Sequence, residues 1–513
     1  MNDIEIAQAV SNVLSRFTKT TPESTQEKAN TGEAERSPQA AASDALDAIV
    51  ARALAQKTAV SGQNTSAQTP ACEAGSGAFA TMEQAITAAV MAQVQYRHSS
   101  MQDRATFVQG IRDVFLQESV LQEISRRAVE ETGMGNYADK LTKNRIAALK
   151  TPGLEDLTTS ALSGDCGLTL TEYSAYGVIG SITPTTNPTE TIINNSIGML
   201  AAGNSVVFSP HPRSHKVSLY CVELINHKLA SLGAPSNLVV TVTQPCPDNT
   251  RALINDQRIN MLVATGGPAI VKTVMSSGKK AIGAGAGNPP AVVDETANIE
   301  KAARDIILGC SFDNNLPCVA EKEVIVVNQV ADYLIHCMKK SGGYLLCDKH
   351  LIRQLESLVL NENGTGPDTA FVGKEARYIL QQLGISAPEE TKVILVETDK
   401  NHPFVVHELM MPVLPVVRVD NVDEAIELAV QVEQGNRHTA IMHSTNVEKL
   451  TKMARQIQTT IFVKNGPSCA GLGVGGEGHA TFTIAGPTGE GLTSPRSFAR
   501  IRRCVMVEGL NIR

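Results

Sequence analysis

Cys318 closes the run Phe312-Asp313-Asn314-Asn315-Leu316-Pro317-Cys318. A cysteine directly after a proline, in a polar loop between a helix and a strand, can present its sulfur to a cleft as a nucleophile. It can equally be an ordinary buried, inert thiol, and spacing alone does not decide. Asn187 stands between a predicted strand end and a predicted helix start, flanked by Thr186 and Pro188. Its amide could donate to a developing oxyanion, or it could cap the following helix. Thr265-Gly266-Gly267 also falls at a strand end before a helix, where missing side chains let a pyrophosphate approach backbone N–H groups. This is not a GxGxxG pattern and is weak by itself. The stretch Ile282 to Pro290 is glycine-rich and could be a cofactor-facing crossing or a tight hinge. His211 and His215 are four apart, but the intervening Pro212 argues against a helical metal pair, and no metal site is expected.

The elements that must position these residues follow from periodicity. Met82 to Lys150 reads as helical. From Tyr173, short β-branched runs alternate with helices: strands over 176–182, 205–208, 238–242 and 261–264, and helices over about 189–202 and 214–231. A second alternating block covers about 284–472. Such alternation predicts an α/β fold with parallel sheets. The last forty residues are glycine-rich, then extended and basic, with Arg496, Arg500, Arg502 and Arg503, a pattern for a solvated strand or a subunit contact.

The first 80 residues differ. Ile6, Val10, Val13 and Phe17 make one stripe of a four-turn helix over 1–18. No Val, Ile, Leu, Met or aromatic residue occurs from Lys19 to Ala42, so 19–42 reads as a flexible linker. Leu46, Ile49, Val50 and Leu54 repeat the stripe in a second helix over 43–57, and a polar linker spans 58–78.

The 513 residues suggest roughly three to four domains. Forty-two per cent are hydrophobic, enough for large cores. A net charge of −7 with no broad basic tract argues against a dedicated nucleic-acid binder. Eight Tyr, eleven Phe and no Trp give no aromatic platform. The ten Cys form no CxxC pair, which points to a reduced intracellular protein rather than a disulfide framework. No apolar run reaches about 18 residues, so no membrane span is expected, and the first residues lack the build of a secretory signal.

Together the motifs Ile182 to Pro188, Thr265 to Gly267, Gly283 to Pro290, Asp313 to Cys318, Glu408-Leu409-Met410-Met411-Pro412-Val413 and Asn465-Gly466-Pro467 fall in one known order. From about residue 80 onward the chain resembles the aldehyde dehydrogenase superfamily. Within it, the chain is similar to the CoA-acylating acetaldehyde and propanal dehydrogenases of bacterial microcompartments. The resemblance implies a Rossmann-like cofactor domain over 79–283, with an oligomerisation strand at 161–175. It implies a catalytic domain over 284–472 and an extended oligomerisation segment over 473–513. It implies that Cys318 is the nucleophile and that Asn187, with the Cys318 backbone N–H, forms the oxyanion hole. The cofactor set it implies is Thr183, Pro184, Ser209, His211, Arg213, Thr265, Gly266, Gly267, Glu408 and Met410, with Glu408 holding the nicotinamide ribose.

Two departures carry information. Hydrolytic members carry a Glu that activates water; by the run of Gly and Pro that position falls at Ala284, and 283–290 holds no ionisable residue. The expected acceptor of the acyl group is therefore a second thiol: aldehyde, CoA and NAD give acyl-CoA and NADH. The alternatives are a hydrolytic enzyme with a substitute base, or an inactive cargo adaptor. After Val206 to Ser209, NAD-dependent relatives place an acid for the ribose 2′-OH; here Pro210-His211-Pro212-Arg213 follows, which weakens strict NAD selectivity. Arg213 could instead meet a CoA phosphate. The resemblance further implies acetaldehyde or propanal as substrate, with acetaldehyde preferred, a homodimer or homotetramer, and residues 1–18 as an encapsulation peptide for a shell protein. The expected location is a microcompartment in the bacterial cytoplasm.

Overall fold

The strand Val178–Thr183 lies between Ser205–Pro210 and Met261–Thr265, all parallel. Val239–Val242 and Ala78–Phe79 extend this sheet on one side and Lys280–Ala284 on the other, giving six strands. Val206, Val207, Val239 and Val240 are fully buried on both faces, which is why these strands read as continuous apolar runs rather than alternating ones. Each such side chain contributes about 1.5–3 kcal/mol through burial. These coordinates are a computed structural model, and it describes residues 75–512. The expected helices at 1–18 and 43–57 and the linker at 19–42 lie outside the described residues.

The helical stretch 82–150 is four helices, Met82–Tyr96, Met101–Phe115, Glu118–Thr132 and Tyr137–Lys150. The breaks have chemical causes. Ser100 and Asp103 form a reciprocal capping box, Gly133 ends its helix at φ 66°, and Asn136 caps the next through the N–H of Asp139. The helix Pro188–Ala201 has every residue buried and packs against Met101–Phe115 and Tyr137–Lys150.

A second parallel sheet has seven strands, in the order Gly343–Leu346, Val393–Glu397, Val413–Val419, Glu323–Val327, Pro290–Val293, Thr439–His443 and Ile461–Lys464. The glycine-rich run 285–289 is the crossing between the two sheets.

The region 161–175 is a hairpin of two strands, Ser160–Gly164 and Gly167–Ala175, rather than one strand. The C-terminal strand Ala499–Val507 pairs antiparallel with the second of them. Of the segment 473–513, only this strand is extended over a long run. The stretch before it returns to the first sheet, where Thr483 meets Thr265 at 2.9 Å, and to the helix Pro188–Ala201, where Thr481 and Thr483 hydrogen-bond Asn194 and Asn195. Leu162, Ile501 and Val507 on the three-stranded sheet are each at least 70% exposed, so that sheet carries apolar side chains without an intramolecular cover.

Candidate active site

The first sheet reverses its winding between Val178–Thr183 and Met261–Thr265, and a crevice opens at their carboxyl ends. The register places Ile182 beside both Ser209 and Ala264, so the loops that follow all three strands meet there. The resulting cleft encloses about 1090 Å³. Thr183, Pro184, Asn187, Ser209, His211, Thr265, Gly266, Gly267, Cys318, Glu408 and Met410 all line it. Arg213 does not; its guanidinium reaches back to the Thr132 carbonyl at 3.4 Å.

Cys318 comes from the opposite wall. The helix Ile299–Ser311 ends in a turn in which Asp313, Asn314 and Asn315 have φ of 47°, 54° and 65°. Asp and Asn tolerate this left-handed region best among residues with a Cβ, yet each such residue costs about 1–3 kcal/mol. Side chains hold the turn. Asn315 Nδ2 donates to the carbonyls of Cys310 (2.9 Å) and Glu321 (3.0 Å), and Asn314 Nδ2 to that of Gly373 (3.0 Å). Lys322 Nζ donates to Asn315 O (2.9 Å) and Oδ1 (2.7 Å). The sulfur-bearing residue is thereby partly exposed at the cleft wall.

Asn187 occupies the N-cap position of Pro188–Ala201, but its side chain makes no cap bond. The capping alternative therefore fails. Its Oδ1 accepts from Lys143 Nζ at 2.6 Å, and its Nδ2 lies 3.3 Å from Thr186 Oγ1.

Gly266 and Gly267 both line the cleft but differ in which backbone groups they leave free. Its N–H donates to Ala284 O at 3.1 Å, continuing the sheet. It is Gly267, the N-cap of the helix Pro268–Met275, that leads into the unpaired N–H groups of a helix start.

Ala284 is the last residue of Lys280–Ala284 and is buried, and the crossing after it brings no acid to the cleft. Gly287 has to be glycine. A Cβ there would stand 2.7 Å from the Cys318 carbonyl and 2.9 Å from His438 Cγ. His438 is buried, with its pKa lowered to about 4 by burial and then by the Lys322 ammonium, and its Nε2 has no partner among the described residues. A neutral imidazole thus stands beside the catalytic loop. His438, Lys143 and Lys322 were not singled out from the sequence; each is an isolated polar residue there, with no spacing that marks it.

Burial, then the Glu408 carboxylate, raise the Cys318 pKa to about 12, against the pull of the Lys322 and Lys143 ammonium groups. Burial also raises the pKa of Glu408, whose Oε1 lies 3.8 Å from Lys322 Nζ and has no hydrogen-bond partner among the described residues. Thr183 Oγ1 is likewise buried without one. Both residues line the cleft, and two orphaned polar atoms in a dinucleotide-sized space fit a cofactor that supplies ribose hydroxyls and a nicotinamide amide.

The aldehyde dehydrogenase family model matches residues 52–345 and 391–484. The chain is 50% identical over 450 residues to a CoA-propanoylating propanal dehydrogenase of Salmonella typhimurium, covering 88% of this chain and 96% of that one. It is 47% identical to an acetylating acetaldehyde dehydrogenase of the same organism over 85% of this chain and 93% of that one. The Rhodopseudomonas palustris propionaldehyde dehydrogenase, solved with bound CoA and an acylated cysteine, superposes with a TM-score of 0.84 at 68% identity, over 85% of this chain and all of that one. A propionaldehyde dehydrogenase from the fucose-utilisation microcompartment of Clostridium phytofermentans gives 0.83 at 50% identity, again over 85% of this chain and all of that one. A cysteine and an amide on facing walls, a dinucleotide-sized cleft and no acid in the crossing agree with these matches: the chain belongs to the aldehyde dehydrogenase family, in its CoA-acylating branch.

Proposed function

We propose that the protein oxidises propanal, with acetaldehyde as a second substrate, to the CoA thioester with NAD as the hydride acceptor. The observation that carries the reading is Cys318 and Asn187 lining one cleft whose glycine crossing 283–290 has no base to activate water. The sequence preference for acetaldehyde gives way to propanal because of the 68% identity with the R. palustris enzyme.

Cys318 gives up its thiol proton to solvent in the cleft, and the thiolate Sγ adds to the aldehyde carbonyl. Asn187 Nδ2–H₂ and the Cys318 backbone N–H donate to the alkoxide that forms, two donors held in place before the reaction by the walls of the cleft. Thr183, Gly267 and Glu408 would hold the NAD, with the ribose hydroxyls on Glu408; when bound, it supplies the acceptor for the hydride that leaves the substrate carbon. The acyl group then sits on Cys318 as a thioester. With no carboxylate at position 284, water is a poor acceptor, and the CoA thiol takes the acyl group and frees Cys318. NAD is favoured over NADP by the family, while Ser209-Pro210-His211 in place of an acidic residue leaves room for a 2′-phosphate.

Initial rates of NADH formation over C2 to C5 aldehydes, with and without CoA and with NAD or NADP, test this. The expected result is CoA-dependent turnover, fastest with propanal and NAD. Steady acid production at the same rate without CoA would overturn it.

The enzyme works inside a microcompartment of the bacterial cytoplasm, carried there by residues 1–18, whose stripe Ile6, Val10, Val13 and Phe17 suits a groove on a shell protein. The exposed three-stranded sheet builds a homodimer or homotetramer. Fusing residues 1–18 to a fluorescent protein in cells that make the shell is the test of targeting. Fluorescence confined to compartments is expected, and diffuse fluorescence with intact compartments counts against it.

A further inference from the structure

Helix Tyr137–Lys150 turns two lysines, three positions apart, toward the helix that begins after Asn187. Lys140 and Lys143 are fully buried, and so are Glu190 and Asp313, which face them. Lys143 Nζ lies 2.5 Å from Asp313 Oδ2 and 3.1 Å from Glu190 Oε1. Lys140 Nζ lies 3.0 Å from the same Asp313 oxygen. Two cations against two carboxylates leave the cluster neutral, the arrangement in which charges persist away from solvent.

A neutral buried quartet could serve the fold alone. What separates Lys143 from Lys140 is a third contact. Lys140 Nζ donates to a backbone carbonyl, that of Thr186, at 2.5 Å. Lys143 Nζ donates to the side-chain oxygen of Asn187 at 2.6 Å. An ammonium has donors only, so the amide can meet it only through Oδ1. With its oxygen held there and one N–H directed at Thr186 Oγ1 (3.3 Å), what Asn187 can offer the cleft is the other N–H of its N–H₂. An amide free to turn over would present its oxygen to a developing oxyanion and repel it. The charge-assisted bond also draws electron density from the amide and makes its N–H groups stronger donors.

Lys143 joins the two walls as well. Asp313 opens the left-handed turn that leads to Cys318, so a single ammonium ties the Asn187 side chain to the cysteine loop. Burial pulls the Lys143 pKa down, but Asp313 and Glu190 outweigh it and keep the group charged.

We propose that Lys143 is a positioning residue for the oxyanion site: it holds the Asn187 amide with its N–H₂ toward the carbonyl oxygen of the bound aldehyde and fixes it relative to Cys318. This rests on the reading of Asn187 as the oxyanion donor.

The test is a double-mutant cycle on the single-turnover rate of NADH release at saturating aldehyde and NAD, with a thermal melt for each variant. Lys143→Met is combined with Glu190→Gln so that the cluster stays neutral, and Glu190→Gln alone is the control. Asn187→Ala is expected to slow acylation by about 10²–10³. Lys143→Met/Glu190→Gln is expected to slow it by about tenfold or more, with KM for aldehyde and NAD nearly unchanged, and to add nothing on top of Asn187→Ala. A wild-type rate in Lys143→Met/Glu190→Gln, or the same loss with and without Asn187, overturns the role of Lys143 alone. A wild-type rate in Asn187→Ala overturns the oxyanion reading itself. Should the methionine variant melt below the assay temperature, Lys143→Gln, which keeps an uncharged donor, goes through the same cycle, and additive losses there overturn the proposal equally.

Discussion

Glu408 Oε1 stands 3.8 Å from Lys322 Nζ, and the two groups act on the Cys318 thiol with opposite sign. The carboxylate adds to the effect of burial and the ammonium opposes it, and the balance leaves the pKa at about 12. At neutral pH this balance favours the thiol over the thiolate in the ligand-free protein.

Alkylation of Cys318 by iodoacetamide in the ligand-free protein should rise about tenfold per pH unit from 7 to 10 without a plateau, because only the thiolate reacts. Glu408→Gln removes a negative neighbour and should raise the rate throughout that range. Mass spectrometry of the Cys318 peptide separates it from the exposed Cys166, Cys246, Cys347 and Cys504. A plateau near pH 8 in the unsubstituted protein would contradict the raised pKa.

Cys318→Ser should abolish NADH formation and leave the melting temperature within a few degrees of the parent, since the change is nearly isosteric. A hydroxyl ionises far less readily than a thiol. Turnover at the parent rate would show that another residue carries the acyl group.

In the absence of CoA, NADH should appear at about one equivalent per active site and then stall, because the thioester has no activated water. Adding CoA should restart release. Stopped-flow absorbance distinguishes this burst from continuous hydrolysis, which would point to a substitute base such as His438.

Glu321 gives a prediction about stability. It is fully buried, and burial raises its pKa from 4.5 to about 7 although the Ser468 N–H (2.8 Å) and hydroxyl (2.6 Å) both donate to its carboxyl oxygens. The folded protein thus binds this proton more tightly than the unfolded chain does. Raising the pH from 4.5 to 7 draws stability out of the fold through this group, by on the order of 3 kcal/mol in full. Glu321→Gln, which needs no proton, should gain in melting temperature relative to the parent between pH 5 and pH 8. Parallel melting curves for the two proteins across that range would rule the mechanism out.

The strands around the cleft were legible because both of their faces are buried. The run expected at 261–264 is Met261–Thr265, and that at 238–242 is Val239–Val242. Cys318, Asn187 and Glu408 each had a bland reading alone, and what marked them as candidates was the order of the motifs from Ile182 to Pro467. The lysines were not legible. Lys140 and Lys143 sit three apart on a helix, the spacing of any solvated face, and their carboxylate partners lie some 50 to 170 residues further along the chain. Nothing local distinguishes a lysine that will be buried from one that will not. The same holds for Gly266, whose commitment to Ala284 depends on which strands become neighbours.

The return of the C-terminal stretch to the first sheet sets an order of events during synthesis. Asn194 Oδ1 accepts from Thr481 Oγ1 at 3.1 Å and from the Phe482 N–H at 3.2 Å, and Asn195 Oδ1 accepts from Thr483 Oγ1 at 3.2 Å. Both asparagines lie on the fully buried helix Pro188–Ala201, the helix that carries the Asn187 side of the site. Their partners emerge 287 or more residues later, a delay of roughly 15–60 s at the usual pace of translation. Until then the cofactor-side half of the molecule has two polar side chains short of their acceptor bonds and an uncovered edge. The helix that follows Asn187 therefore reaches its final set of hydrogen bonds only when nearly the whole polypeptide has been made.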